Sequence, residues 1–134
     1  MRFIILVKAS AQSEAGAMPD ESMIAAMAGY HEELARAGAL LDASGLKPSA
    51  QGWRVRYEGD GQRRVIDGPF AESKELVAGY TLIDVRSREE ALEWTRRFPA
   101  PHAGACEIEV RPLYELNDFG DSAAVERFHA LSTR

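Results

Sequence analysis

Residues Phe3-Ile4-Ile5-Leu6-Val7 make an unbroken, β-prone apolar run. Successive side chains of a strand point to opposite faces, so a run with no polar position belongs to a strand that is covered on both sides. A chain of 134 residues with 46% hydrophobic content supplies one core amply and would leave two domains short of apolar residues. A single domain containing a doubly covered strand is the first expectation.

From Pro19 the period changes. Pro19 suits the first helical position, Asp20 and Glu21 complement the amino-terminal dipole, and Gly38 offers a stop, so a helix is predicted over residues 19–37. Its inward stripe is Met23, Met27, Tyr30 and Leu34, with Ile24, His31 and Gly38 along the adjoining row. Residues 39–46 read as a second strand. In 52–57 Trp53, Val55 and Tyr57 alternate with Arg54 and Arg56 as in a half-exposed strand, and Glu58-Gly59-Asp60-Gly61 supplies a turn. Residues 63–66 return antiparallel to Asp67, and Gly68-Pro69 then interrupts ladder pairing. A long strand follows over 77–85. Ser87 with Glu90 carries a capping-box signature for a helix whose inward stripe is Ala91, Trp94, Thr95 and Phe98. Cys106, Ile108 and Val110 alternate with charged residues in a last strand, which makes Cys106 an inward thiol.

This order predicts an α+β fold, a ferredoxin-like split βαβ sandwich with an antiparallel sheet and both helices on one face. Strand one would then show its second apolar face to water, so a second copy packing sheet to sheet is expected to cover it. Residues 1–116 form the domain. Residues 117–134 are a tail in which Phe119, Val125, Phe128 and Leu131 have loosely helical spacing, with two outcomes open, a short docked helix or a frayed end.

Charge and cysteine usage narrow the partners. With 21 acidic against 16 basic residues the net charge is -5, which disfavours direct nucleic-acid contact and anionic lipid surfaces. The arginines at 54, 56, 63 and 64 are interleaved with Glu58, Asp60 and Asp67 and read as a solvated hairpin face. The lone Cys106 permits no internal disulfide and suits the cytoplasm. The apolar run after Arg2 is too short for a signal-peptide core, and no stretch approaches a bilayer span, so neither export by that route nor a membrane partner is expected.

The segment Asp67-Gly68-Pro69-Phe70-Ala71-Glu72-Ser73-Lys74-Glu75, followed by Gly79-Tyr80, resembles the signature of the DGPF-motif branch of the YCII-related proteins. The resemblance runs from the first strand to Glu115 and includes Ala37-Gly38-Ala39-Leu40-Leu41, Gly45-Leu46-Lys47-Pro48, Glu89-Glu90-Ala91-Leu92-Glu93-Trp94 and Glu107-Ile108-Glu109-Val110-Arg111-Pro112. It implies a ferredoxin-like fold that dimerises into an α/β barrel with a cavity between the sheets, and no settled biochemical function. It also implies a histidine and aspartate pair on and just after the first helix. Registered on Gly38, that histidine falls at Met27 here, while His31 lies one turn further along, so the pair does not carry over residue by residue. The branch's association with genes for extracytoplasmic-type sigma factors implies a pathway rather than DNA contact.

Asp67 stands where a strand meets Gly68-Pro69, so its carboxylate is held at a strand end as a candidate general acid, base or ligand acceptor; the competing reading is a turn aspartate bonding its own loop. His31, at the edge of the buried stripe, is a candidate acid or base, or a structural histidine with Tyr30 as its core neighbour. Lys74 suits an anionic substrate group, with Glu72, Phe70 and Tyr30 as further substrate-binding candidates; the competing readings are solvated loop charges for Lys74 and Glu72, an apolar loop anchor for Phe70 and a core position for Tyr30. Glu109 and Arg111 share one face of the last strand, either to orient a ligand in the dimer cavity or to pair with each other or the second subunit. None of His31, His102 and His129 has zinc-ligand spacing, and no phosphate loop or thiol nucleophile motif is present, so no metal or cofactor is expected. Two functions stay open: a cofactor-independent acid/base enzyme acting on a small polar molecule in the dimer cavity, or a non-catalytic ligand-binding or regulatory dimer linked to a sigma-factor pathway.

Overall fold

The computed structural model describes residues 1–72 and 75–132. Four strands form an antiparallel sheet: β1 (Arg2–Lys8), β2 (Leu40–Gly45), β5 (Val77–Asp84) and β6 (Ile108–Pro112), in the order β2-β5-β1-β6. Two helices return the chain across it, α2 (Glu21–Arg36) after β1 and α3 (Arg88–Arg96) after β5. Because β5 lies between β1 and β2, the βαβ unit is split, and the fold is the ferredoxin-like α+β sandwich. Strands β3 (Trp53–Tyr57) and β4 (Arg63–Asp67) stand apart as a two-stranded ribbon inserted between β2 and β5.

The helix ends follow from local chemistry. Asp20 is the N-cap of α2 rather than a helical residue, its carboxylate accepting the Met23 N–H at 2.9 Å, which moves the start two residues past Pro19. The helix stops at Gly38, whose φ of 72° an L side chain resists. Ser87 caps α3 by accepting the Glu90 N–H at 3.1 Å. The Glu90 carboxylate does not close the capping box but turns to the Arg86 backbone N–H at 3.0 Å, a bond that holds its pKa below the usual carboxylate value. A short helix, α1 (Ala11–Glu14), precedes α2; no hydrophobic period announces one turn, which is built on reciprocal Ser10 and Ser13 capping.

The core lies between the helices and one face of the sheet. Phe3 and Ile5 of β1 and Ile83 of β5 meet Tyr30 and Leu34 of α2 and Ala91 of α3, with Trp94, Phe98, Ile108 and Val110 packed around them. Tyr30 is the aromatic hub, edge-on to Trp94 and Phe98, and its hydroxyl donates to the Trp94 carbonyl at 2.7 Å. Ile4 and Leu6 of β1 and Tyr80 and Leu82 of β5 point to the opposite face, where they are only half-buried.

Two expectations are corrected. Cys106 is an exposed thiol, because β6 begins at Ile108 after a bend through Gly104 at φ 78°, so the residue precedes the alternation that would have turned it inward. The ribbon is not half-exposed: its residues are exposed on both faces except Ile66. Residues 123–131 do form the tail helix α4 (Ala123–Leu131), preceded by a 3-10 turn at Leu116–Phe119, yet Phe128 and Leu131 remain exposed. No helix among the described residues is long and apolar enough to cross a membrane.

Two measurements check this core. Leu34→Ala empties a fully buried site and is expected to cost about 2–5 kcal/mol in urea unfolding. Burial pushes the Tyr30 phenol up to about 12 from 10.0, favouring its neutral form, so its stabilising contribution is intact below pH 10 and is lost as pH rises from there towards 12. A tyrosinate absorbance titration should show one phenol ionising last, together with unfolding, and Tyr30→Phe should remove that step.

Candidate functional site

The predicted site residues fall into three places. The first is the loop that leaves the ribbon. Asp67 is the last residue of β4 and its side chain is exposed. The Gly68 N–H donates to the Gly52 carbonyl at 3.0 Å, and a Cβ built at Gly68 would lie 1.9 Å from the Ser49 carbonyl oxygen, so only glycine passes there. Ser49 is the hub. Its hydroxyl accepts the Phe70 N–H at 3.0 Å and donates to the Glu14 carboxylate, which also accepts the Ser49 N–H at 3.0 Å. The Phe70 ring lies under the Arg54 guanidinium, 3.7 Å from its centroid. The Asp67-Gly68-Pro69-Phe70 motif is thus bolted to α1 and to the 3-10 turn Ser49–Gln51. Glu72 is exposed on the same loop, and Lys74 lies outside the described residues.

The second place is the helix side of the sheet. The His31 Nδ1–H donates to the Met27 carbonyl at 2.7 Å, since a carbonyl can only accept. Nε2 lies 2.8 Å from the buried Thr81 hydroxyl of β5, so both ring nitrogens are engaged between α2 and the sheet. The ring stands edge-on to Tyr30, which is itself buried. No hydrogen bond or ion pair joins His31 to Asp67 among the described residues.

The third place is the open face of the sheet. Glu109 lies opposite Leu6 and Arg111 opposite Ile4, so both project there, as their spacing predicted. The Glu109 carboxylate receives Lys8 Nζ at 3.1 Å and Arg111 at 3.8 Å. On the same face but on the other side of β1, the Tyr80 hydroxyl donates to Asp42 at 2.8 Å, a bond that raises the phenol pKa. Ile4, Leu6 and Leu82 form an apolar floor under this polar group. Sequence reasoning missed Tyr80 and Asp42. Alternation from buried Thr81 and Ile83 would have turned Tyr80 to the open side, but a register shift between Leu40 and Asp42 breaks the alternation in β2 and hides the second.

The loop network makes separable demands. Gly68→Ala is expected to destabilise by about 3 kcal/mol in urea unfolding, the upper end for overpacking, because the facing atom is backbone and cannot swing away. Ser49→Ala, which leaves the Phe70 N–H without its acceptor, should cost about 1–3 kcal/mol by the same measurement.

A protein of Rhizobium meliloti (strain 1021) described as uncharacterized is 34% identical over 94 residues, which cover 70% of this chain and 75% of that protein. Among solved structures, the 5-chloro-2-hydroxyhydroquinone dehydrochlorinase of Burkholderia phenoliruptrix AC1100, in complex with 2,5-dihydroxybenzoquinone, superposes with a TM-score of 0.48 at 16% identity, covering 90% of this chain and 100% of that one. The sequence model of the YCII-related domain matches residues 1–115, from the start of β1 through β6 and the residues that follow it. The chain belongs to the YCII-related family.

Proposed function

We propose that the chain is one half of a homodimeric, cofactor-independent acid/base enzyme acting on a small oxygenated organic molecule bound over the open face of the sheet. The observation that carries this reading is the combination on that face of an apolar floor, Ile4, Leu6 and Leu82, with the Tyr80-Asp42 bond and the Lys8-Glu109-Arg111 cluster. Binding sites are typically apolar with a few placed polar groups. A second copy over the same face would remove water and strengthen every charge interaction within.

In this reading Arg111 and Lys8 hold an anionic or enolate oxygen by charge-assisted bonds, and the Tyr80 hydroxyl oxygen, its hydrogen given to Asp42, accepts from a substrate hydroxyl. Asp67 is the acid/base group, at a strand end that the Ser49 network immobilises. His31 ties α2 to β5 with both nitrogens and acts by keeping β5, and hence Tyr80, in place. That engagement of His31 favours a second reading, a non-catalytic ligand-binding dimer linked to a sigma-factor pathway, in which the same face binds without proton transfer.

Incubating the protein with a panel of small keto acids in deuterated water tests the choice. Nuclear magnetic resonance should show exchange of the carbon-bound hydrogen next to the carbonyl, with the rate lowered at least about tenfold by Asp67→Asn. Retained binding of a keto acid without exchange would replace the enzyme by the binding module. Neither binding nor exchange would overturn both. Sedimentation equilibrium should give twice the monomer mass, and Leu6→Lys should return the protein to monomer.

A further inference from the structure

The ribbon of β3 and β4 carries an apolar surface that its own chain leaves uncovered. Residues directly opposite in an antiparallel pair share a face, so Trp53 with Asp67, Val55 with Val65 and Tyr57 with Arg63 line one side. Trp53 is 66% exposed, Tyr57 69%, Val65 65% and Val55 42%. A two-stranded ribbon is marginal in water without something packed on it. The open sheet face of the same chain, with Ile4, Leu6, Tyr80 and Leu82, lacks a layer too.

We infer that the ribbon is an arm that docks on the open-face chamber of a second copy, so that each chamber is completed by the partner's Trp53, Tyr57 and Asp67. The inference rests on the homodimer reading above and assigns Asp67 to the partner's chamber rather than to its own. Three observations select a second copy as the occupant. Both surfaces belong to one chain, and a twofold arrangement covers both at once, whereas a foreign partner on one leaves the other wet. The charges match: Arg63, on the stripe side, has no carboxylate partner among the described residues, and Asp42, on the open face, has no cation partner among them. The area is sufficient. The stripe exposes on the order of 400 Å², and two reciprocal contacts counted on both sides bury on the order of 1,600 Å², the size of a stable interface. With a reach of about 17 Å, the ribbon is long enough to cross from one copy to another. Asp67 stands across the ladder from Trp53 on the same face, so whatever covers Trp53 also receives Asp67.

The test reads Trp53 and position 67 across the concentration range in which sedimentation shows monomer becoming dimer. Trp94→Phe leaves Trp53 as the single indole; a difference spectrum between wild type and Trp53→Phe supplies the same signal if the first variant unfolds. On dimerisation the Trp53 emission should shift to the blue and its acrylamide quenching constant should fall at least threefold. In an Asp67→Cys, Cys106→Ser protein, thiol labelling should slow at least tenfold over the same range. A dimer in which Trp53 stays quenchable and Cys labelling stays fast overturns the arm and leaves the homodimer standing. A monomer at every concentration overturns both.

Discussion

The desolvation of β1 governs this structure. Phe3 and Ile5 are buried against the helices, while Ile4 and Leu6, one residue out of phase, must be served by the other side of the same strand. At about 25 cal/mol per Å² of apolar surface removed from water, the buried side of this strand stabilises the sandwich, and the other side contributes only in so far as something covers it. The chain builds one layer from α2 and α3. The remaining face collects Tyr80, Asp42, Glu109, Lys8 and Arg111 around its apolar floor. The face left uncovered by the helices thus pairs an apolar floor with a few polar groups, the composition typical of binding surfaces.

The Asp67-Gly68-Pro69-Phe70 motif is legible in physical terms. Gly68 is required by the Ser49 carbonyl, and Phe70 is held through its backbone N–H and by Arg54 above its ring. Proline ends the ladder after Asp67 because it has no N–H to donate. What remains at the strand end is an exposed carboxylate on a rigid mount, facing the same way as an exposed tryptophan. The Asp67 carboxylate makes no hydrogen bond or ion pair among the described residues, so it stands free beside that aromatic.

Local chemistry in the sequence settled the elements: the apolar run of β1, the caps at Ser87 and near Asp20, the stop at Gly38, the turn before β4, and the placement of Glu109 and Arg111 on one face by alternation. Each is a property of neighbouring residues, where period and capping act over a few positions. Only tertiary structure decided that His31 spends both nitrogens on Met27 and Thr81, that a register shift in β2 brings Asp42 to Tyr80, that Glu14 reaches across to Ser49, and that the ribbon stands off the main sheet with Cys106 outside β6. Those outcomes depend on which distant residue arrives opposite, and a strand's pattern records which face a side chain takes but not what it meets there.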